Sequence, residues 1–595
     1  MRTHKNNELR IKDVDETVIL NGWVHTRRDH GGIIFIDLRD RFGFTQLVFD
    51  PEYNGKYMDE ADTLRREDCI EIKGSVKKRK EGMNNSNLDT GDIEVFVDEL
   101  KIINKSEVPP LEVDDRIEAN DELRLKYRFL DLRRPLMQKR LLFRNNVVKS
   151  VRDFFSENDF LEIETPLLVK STPEGARDYV VPSRVNPGMF YALPQSPQLY
   201  KQMLMISGCD RYYQLARCLR DEDLRSDRQP EHTQIDFEMS FVKADDIRLL
   251  VENLMKKIFR ENLNIDIEIP FKRLTYRESM SKYGTDKPDI RFDLELTDVT
   301  DIVIKSEFGV FKDVASNGGI IKCINPQKEL GRKDIDGYIE FCQTKGAKGM
   351  AWMRVTDQGL ESNIAKFFPK ETQEELISKT GAKPGSVLMF IADKKKKCNF
   401  VLSRLRTKLA KDLDLYNDKD FKFSWIYDFP LFAWNDETKS WEPEHHIFSM
   451  PKEEFIDDFE KRPEETLGDL WDLALNGVEL SSGSMRVSDP QIQARMLNFI
   501  GINEKEAEEK FGFLLNAYKY GGPTHGGMGI GLDRLCAMMN QIHDIREFIA
   551  FPKNKNAECP MDESPNLIND VQLKELHLKY DELALKNFEK VSNNN

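Results

Sequence analysis

Between about residues 17 and 103 the chain alternates short apolar runs with polar and glycine-containing breaks. The runs are Val18–Leu20, Gly22–Val24, Ile33–Leu38, Thr45–Phe49, Cys69–Ile72 and Ile93–Val97. Five or six strands of that length predict a small closed barrel of the OB type, set here as residues 1–105. Pro109-Pro110 and the charged stretch to Arg134 interrupt the pattern and predict a hinge over 106–135. Beyond it the period changes. Phe143, Val147, Val151 and Phe154 recur at helical spacing, which predicts a helix from Lys139 to Phe160 with one apolar face. The segment 290–422 carries its own strand and helix patterns; it is too long for a plain loop and reads as an inserted α+β domain. It divides one larger domain into two parts, 136–289 and 423–560. A polar extension, 561–595, follows, with one helix expected from Asp570 to Lys590. The fold class is therefore α+β and multidomain, since 595 residues exceed what a single core holds.

Composition narrows the picture in three ways. Eight cysteines are scattered without a C-x-x-C pair, which points to free thiols in a reducing compartment and away from a zinc ribbon. Residues Met1–Asn6 open no apolar leader and no stretch is long and apolar enough to span a bilayer, so a soluble, cytoplasmic protein without a membrane partner is expected. A net charge of -15 argues against indiscriminate adhesion to nucleic acid. Local basic patches remain at Arg27-Arg28, Lys77–Lys80 and Arg124–Arg134.

Two arginines carry the strongest chemical signal. Arg220 sits in Leu219-Arg220-Asp221-Glu222-Asp223, and Arg534 closes Gly529-Ile530-Gly531-Leu532-Asp533-Arg534. A planar guanidinium grips phosphate oxygens bidentately, and glycines let backbone approach a ligand, so the pair suits a nucleotide held from two sides. Each alone is more often a solvated hairpin or a turn. No G-x-x-x-x-G-K-[ST] occurs, and no alternating strand directly precedes Gly526-Gly527-Met528-Gly529, which leaves the P-loop and dinucleotide folds unsupported. Asp472–Leu480 reads as a hairpin about Asn476-Gly477 with Ala474 opposite Glu479. Asp472 and Glu479 then share one side, about 7–8 Å apart between backbones. Such carboxylates suit a hard divalent ion, magnesium on a triphosphate being the expected one, or merely decorate an edge hairpin. Phe35 alternates with Ile34 and Ile36, so it faces away from them, either to stack a base or to fill another core.

These motifs resemble motifs 2 and 3 of the class II aminoacyl-tRNA synthetases. Arg220–Asp236 is similar to the bacterial-type aspartyl-tRNA synthetases, and Lys139–Phe160 followed by Leu161–Pro166 resembles motif 1, which implies a homodimer. The resemblance covers essentially the whole chain. It implies an antiparallel catalytic sheet flanked by helices, with ATP, L-aspartate and tRNA(Asp) as substrates, magnesium as cofactor, and the inserted domain typical of the bacterial type. It implies that Glu174, Ser196, Gln198, Lys201, Arg220, Asp236, His445 and Arg486 bind aspartate. Lys201 and Arg486 would face the side-chain carboxylate and Asp236 the ammonium. Arg220, Asp221, Glu222, Gln229, His232, Glu479, Gly531, Leu532, Asp533 and Arg534 would bind ATP, with Arg220, Glu222 and Arg534 serving catalysis. Asp472 and Glu479 would hold the metal, and Arg28, Phe35 and Gln46 would read the anticodon. His30 and Gly82 resemble the relaxed enzymes that also charge tRNA(Asn), whose product an amidotransferase could take up; stricter relatives tend to carry leucine and lysine there. Departures from the family pattern are His232 for phenylalanine, Ile447 for proline, and Leu480-Ser481-Ser482 for a more glycine-rich stretch. A strictly discriminating enzyme, a non-catalytic tRNA-binding paralogue and an asparagine-forming relative are the competing readings. Retention of Arg220, Glu222, Asp472, Glu479 and Arg534 speaks against the second, and the N-terminal barrel against the third.

Overall fold

A computed structural model describes residues 1–116, 119–172 and 176–586. The chain divides into two compact units. One comprises Met1–Asn145, Leu224–Gln229 and Asp544–Ile568; the other holds Asn146–Asp223, Pro230–His543 and the segment from Asn569 onward.

The first unit contains a closed five-stranded barrel. Its strands are β1 (Thr17–His30), β2 (Ile33–Arg39), β3 (Phe44–Phe49), β4 (Cys69–Lys78) and β5 (Ile93–Asn104), in the order β1-β2-β3-β5-β4. The two apolar runs Val18–Leu20 and Gly22–Val24 belong to one strand of 14 residues, in which the pairing with β2 slips between Val24 and Thr26. Period-2 alternation sends Val18, Leu20, Val24, Ile34, Ile36, Leu38 and Leu47 inward, where each is buried. The charged stretch after the barrel forms two short helices, Asp121–Lys126 and Arg128–Asp131. Arg124 pairs with Asp131 at 3.0 Å and Glu547 at 2.8 Å, while Arg128 pairs with Asp131 at 2.6 Å and donates to the carbonyls of Arg546, Ile549 and Ala550. These arginines are spent internally and are no surface for phosphates. Arg79 is likewise buried, donating to the Ile93 carbonyl.

The second unit is built on an eight-stranded sheet. Its order is Lys272–Thr275, Phe423–Tyr427, Leu470–Leu475, Val478–Met485, His525–Gly531, Glu231–Ser240, Arg211–Leu219 and Leu161–Glu162. The strands are antiparallel except at the two outermost pairs. The motif 1 helix runs from Pro135 to Glu157, and Val147, Val151, Phe154 and Phe155 on it are buried. Residues 290–422 carry a separate five-stranded sheet, Leu296–Asp298, Ile320–Ile324, Val387–Asp393, Ala351–Thr356 and Gly359–Glu361 in spatial order. It has a buried apolar cluster on each side, one including Val387 and Met389, the other Leu388 and Phe390. The lysine run opens the helix Lys395–Asp412. In the C-terminal extension the expected long helix is short. It spans Asp570–Glu575 and stops; 582–586 are helical again. No helix among the described residues is long and apolar enough to cross a membrane.

Candidate functional site

The centre of the large sheet assembles the predicted residues from three adjacent strands. Asp236 and Glu238, two apart on one strand, share a face; opposite them lie Gly529 and Gly527, and beyond those Ser482 and Ser484. The glycines are required by contact. A Cβ on Gly527 would stand 2.1 Å from the Phe237 carbonyl and 2.2 Å from Glu238 Oε2. One on Gly483 would stand 2.2 Å from Met528 Cγ.

Four buried charges run in a chain across this floor. Lys201 Nζ, from the helix Gln198–Ile206, lies 2.9 Å from Asp236 Oδ1 and 3.2 Å from Glu238 Oε2. Arg486 donates from Nε to Glu238 Oε1 at 2.8 Å and from Nη2 to Oε2 at 3.2 Å, while its Nη1 reaches Ser484 Oγ at 2.5 Å. All four side chains are at most 5% exposed. Burial pushes Glu238 up, but Arg486 and Lys201 outweigh it and hold the carboxyl at about 2. Asp236 goes the other way: burial raises it more than Lys201 lowers it, and its Oδ2 is buried without a hydrogen-bond partner among the described residues. Glu238 carries the internal balance and was absent from the sequence-based set, although a second carboxylate two residues after Asp236 in an apolar strand is a readable signal.

Beside this floor is a cleft of about 630 Å³, lined in part by Ser196, Gln198, Arg220, Glu222, His445 and Ser482. Arg220 follows the strand Arg211–Leu219; its Nε donates to the Gln195 carbonyl at 3.3 Å. Arg534, at the start of the helix Leu532–Met539, donates from Nη1 to the Glu479 carbonyl at 2.7 Å. Both cations act on His232. Burial, then Arg220 and Arg534, bring its imidazole down to about 3, so it presents a neutral ring. Cys218 joins the two halves: burial raises its thiol to about 12 against the opposing charges of Arg220 and Lys201. Leu532 and Asp533 are buried, and Asp533 Oδ2 accepts from Thr233 N at 2.8 Å. The Asp533 side chain fastens the helix to the neighbouring strand. Asp221 stands 3.8 Å from Arg177 in an exposed pair. In the other unit, Gln229 exchanges two hydrogen bonds with the Lys553 backbone, at 2.8 and 3.2 Å. Glu174 lies outside the described residues.

The acidic hairpin turns at Asn476-Gly477, with Ala474 opposite Glu479. Its pairing then slips so that Leu473 faces Ser481 and Asp472 faces Ser482, leaving Leu480 as the extra residue of a bulge. Asp472, Glu479 and a third residue, Asp286, bring ligand oxygens within 4.8 Å of one another. Asp472 has a side chain only 4% exposed, 4.0 Å from His445, and its Oδ1 has no hydrogen-bond partner among the described residues. Burial and the neighbouring Glu479 charge raise its pKa well above the usual carboxylate range. An oxygen-only donor set with an orphaned buried oxygen fits a hard divalent cation. Burial lowers the pKa of His445, which stacks edge-on to Phe429.

On the barrel, Arg28, His30, Phe35 and Gln46 meet on one outer face. Phe35 pairs in register with Arg28 across β1 and β2, and its half-buried ring lies edge-on 5.9 Å from His30. Arg28 Nη2 donates to Asp37 at 2.8 Å and to Gln46 Oε1 at 3.4 Å. Gln46 Nε2 in turn donates to Glu94 at 3.1 Å. Gly82 has φ +81° and open space where a Cβ would stand.

Comparison with known proteins bears on both units. The family model for class II tRNA synthetases (D, K and N) matches residues 120–555, and that for the OB-fold nucleic acid binding domain matches 18–103. An aspartate–tRNA(Asp/Asn) ligase of Thermoanaerobacter sp. (strain X514) is 48% identical over 582 residues, 98% of each chain. A protein of the same name from Treponema denticola is 49% identical over 568 residues, 95% of this chain and 96% of that one. Among solved structures, the asparaginyl-tRNA synthetase of Pyrococcus horikoshii complexed with asparaginyl-adenylate matches with a TM-score of 0.57 at 19% identity. That match covers 91% of this chain and 95% of the other, and it speaks to the fold alone.

Proposed function

Because the chain belongs to the class II tRNA synthetases of the aspartate, lysine and asparagine group, we infer that it is an ATP-dependent aspartate–tRNA ligase of the non-discriminating kind. Near-half identity to aspartate–tRNA(Asp/Asn) ligases over almost the full length supports this reading. So do a class II catalytic domain and an anticodon-binding barrel in one chain.

The single observation that carries the substrate assignment is the buried Lys201–Glu238–Arg486 arrangement, two cations fixed on one carboxylate. An aspartate side chain presented to those cations is compensated. Asparagine would leave buried positive charge without a matching anion. Asp236, with its orphaned Oδ2, takes the substrate ammonium. The aspartate α-carboxylate then attacks the α-phosphorus of ATP; a carboxyl–phosphate anhydride forms and the bond to pyrophosphate breaks. Arg220 and Arg534 stabilise the charge that develops on the phosphate oxygens, and the neutral His232 ring stacks on adenine. Glu222 positions adenosine and phosphates. Asp472 and Glu479 would hold a divalent ion of the hard, oxygen-preferring kind, for which magnesium is our choice, and when bound it would offset triphosphate charge. A ribose hydroxyl of the terminal tRNA adenosine finally attacks the anhydride carbonyl and releases AMP. No side-chain nucleophile is needed.

Arg28, Phe35 and Gln46 read the anticodon, and His30 with Gly82 leaves room for both anticodon types. Charged tRNA(Asn) would pass to an amidotransferase. A homodimer is supported by the edge strand Leu161–Glu162 and the exposed Leu161, Leu167 and Leu168 that follow motif 1. Eight cysteines, none of them in a disulfide, accord with work in the cytoplasm. The test is aminoacylation of two transcripts, one with the Asp and one with the Asn anticodon. Comparable charging of both is expected, and negligible charging of the second would remove the relaxed specificity.

A further inference from the structure

We propose that Asp286 is a third protein ligand of the divalent ion, so that the irregular segment entering the inserted domain helps build the metal site. This rests on the reading of Asp472 and Glu479 as the other two ligands. The three carboxylates converge to within 4.8 Å although Asp286 is remote in sequence from the hairpin that bears the others. An acidic cluster alone would mean little. Here the buried Asp472 keeps Oδ1 without a hydrogen-bond partner among the described residues, a cost that a cation in the cluster would remove.

The position of Asp286 is fixed from both sides. On the hairpin side, Gly477 (φ +84°) lets the segment approach so closely that a Cβ there would lie 3.2 Å from Asp289 Cβ. On the inserted-domain side, Asp289 accepts both Nε and Nη2 of Arg291, at 3.0 and 2.6 Å, and Arg291 lies over the Tyr416 ring at 3.9 Å. Arg406, from the helix Lys395–Asp412, donates to the carbonyls of Leu294 and Phe292 at 2.5 and 3.0 Å. Just before Asp286, Ser279 Oγ donates to the Thr285 carbonyl at 2.6 Å, so the segment is a strap tied at each end, and its first carboxylate stands at the acidic cluster.

Lys287 gives the empty cluster a counter-charge. Its Nζ donates to Glu479 Oε2 at 3.3 Å, and both side chains are about two-fifths exposed, free to part when a dication binds. A monovalent ammonium offsets one of three carboxylates. A divalent ion offsets two more effectively because it touches all three oxygens at once.

The experiment measures Mn²⁺ binding to the full chain by water-proton relaxation, with no substrate present. Asp286→Asn should weaken Mn²⁺ by about tenfold or more, as loss of a group supporting a metal commonly does. Its thermal unfolding should stay close to that of the parent, because among the described residues the Asp286 carboxylate accepts one side-chain hydrogen bond, a 3.3 Å contact from Thr285 Oγ1. Asp472→Asn tests the underlying reading. If it weakens Mn²⁺ and Asp286→Asn does not, the third ligand is overturned while the metal site stands; if neither changes binding, both fall. Asp286→Cys separates ligation from a field effect: titrated with Cd²⁺, it should give a cadmium–thiolate absorption band in excess of that of the parent protein, whose own eight cysteines set the baseline. Absence of that band in a folded variant would contradict direct coordination.

Discussion

Arg486 and Glu238 face each other through two near-parallel hydrogen bonds, 2.8 and 3.2 Å, with neither side chain more than 5% exposed. Glu238 touches no expected substrate position, yet it sets the direction in which the guanidinium points. Glu238→Gln should therefore destabilise the protein by about 3–5 kcal/mol, the usual consequence of leaving buried charge unpaired. In the folded fraction it should raise KM for aspartate more than KM for ATP. Denaturant unfolding and exchange kinetics check the two parts separately, and equal changes in both KM values would contradict the role.

Gly527→Ala tests the same floor through backbone. Its methyl would collide with the Phe237 carbonyl and Glu238 Oε2, and neither strand can yield without breaking the ladder. A loss of about 1–3 kcal/mol is expected from overpacking. A neutral substitution would show that the central strands are looser than drawn here.

His232 gives a pH dependence with a defined sign. Its folded pKa is near 3 and its ordinary value 6.5, so below 6.5 the unfolded chain binds the extra proton. The stabilising contribution is complete above 6.5 and disappears as pH falls toward 3. Between pH 7 and 5, His232→Phe should lose about 1–2 kcal/mol less stability than the parent. Urea unfolding at the two pH values measures it; identical losses would contradict the assignment.

The barrel face predicts a separation of functions. Phe35→Ala and Arg28→Ala should lower tRNA charging by about tenfold, the worth of one base stack, while leaving aspartate-dependent pyrophosphate exchange unchanged. A matching fall in exchange would place these residues in folding, not in tRNA reading.

How far the sequence discloses this molecule depends on whether the signal is local. The barrel strands are legible because alternation in Ile33–Leu38 and Ile93–Val97 reports one buried face. The Asn476-Gly477 turn is legible because its φ values, +49° and +84°, are ones those residues favour. The bulge at Leu480 is not, since no residue type marks it. Arg124–Arg134 reads as a hinge and a basic patch because its partner Glu547 is distant in the chain. Asp570–Lys590 promises one continuous helix, which the described residues break after Glu575 because few of them find a core; 587–590 lie outside the described residues. Lys201, Arg486, Arg220 and Arg534 come from motifs, whereas Asp286 has only its place in space.

The most direct measurement is pyrophosphate exchange by the purified protein with aspartate or asparagine as the amino acid, repeated with Arg486→Ala. The account predicts exchange with aspartate, little with asparagine, and a loss of about two to three orders of magnitude in the variant. No exchange in the parent protein, or equal exchange with both amino acids, would contradict it.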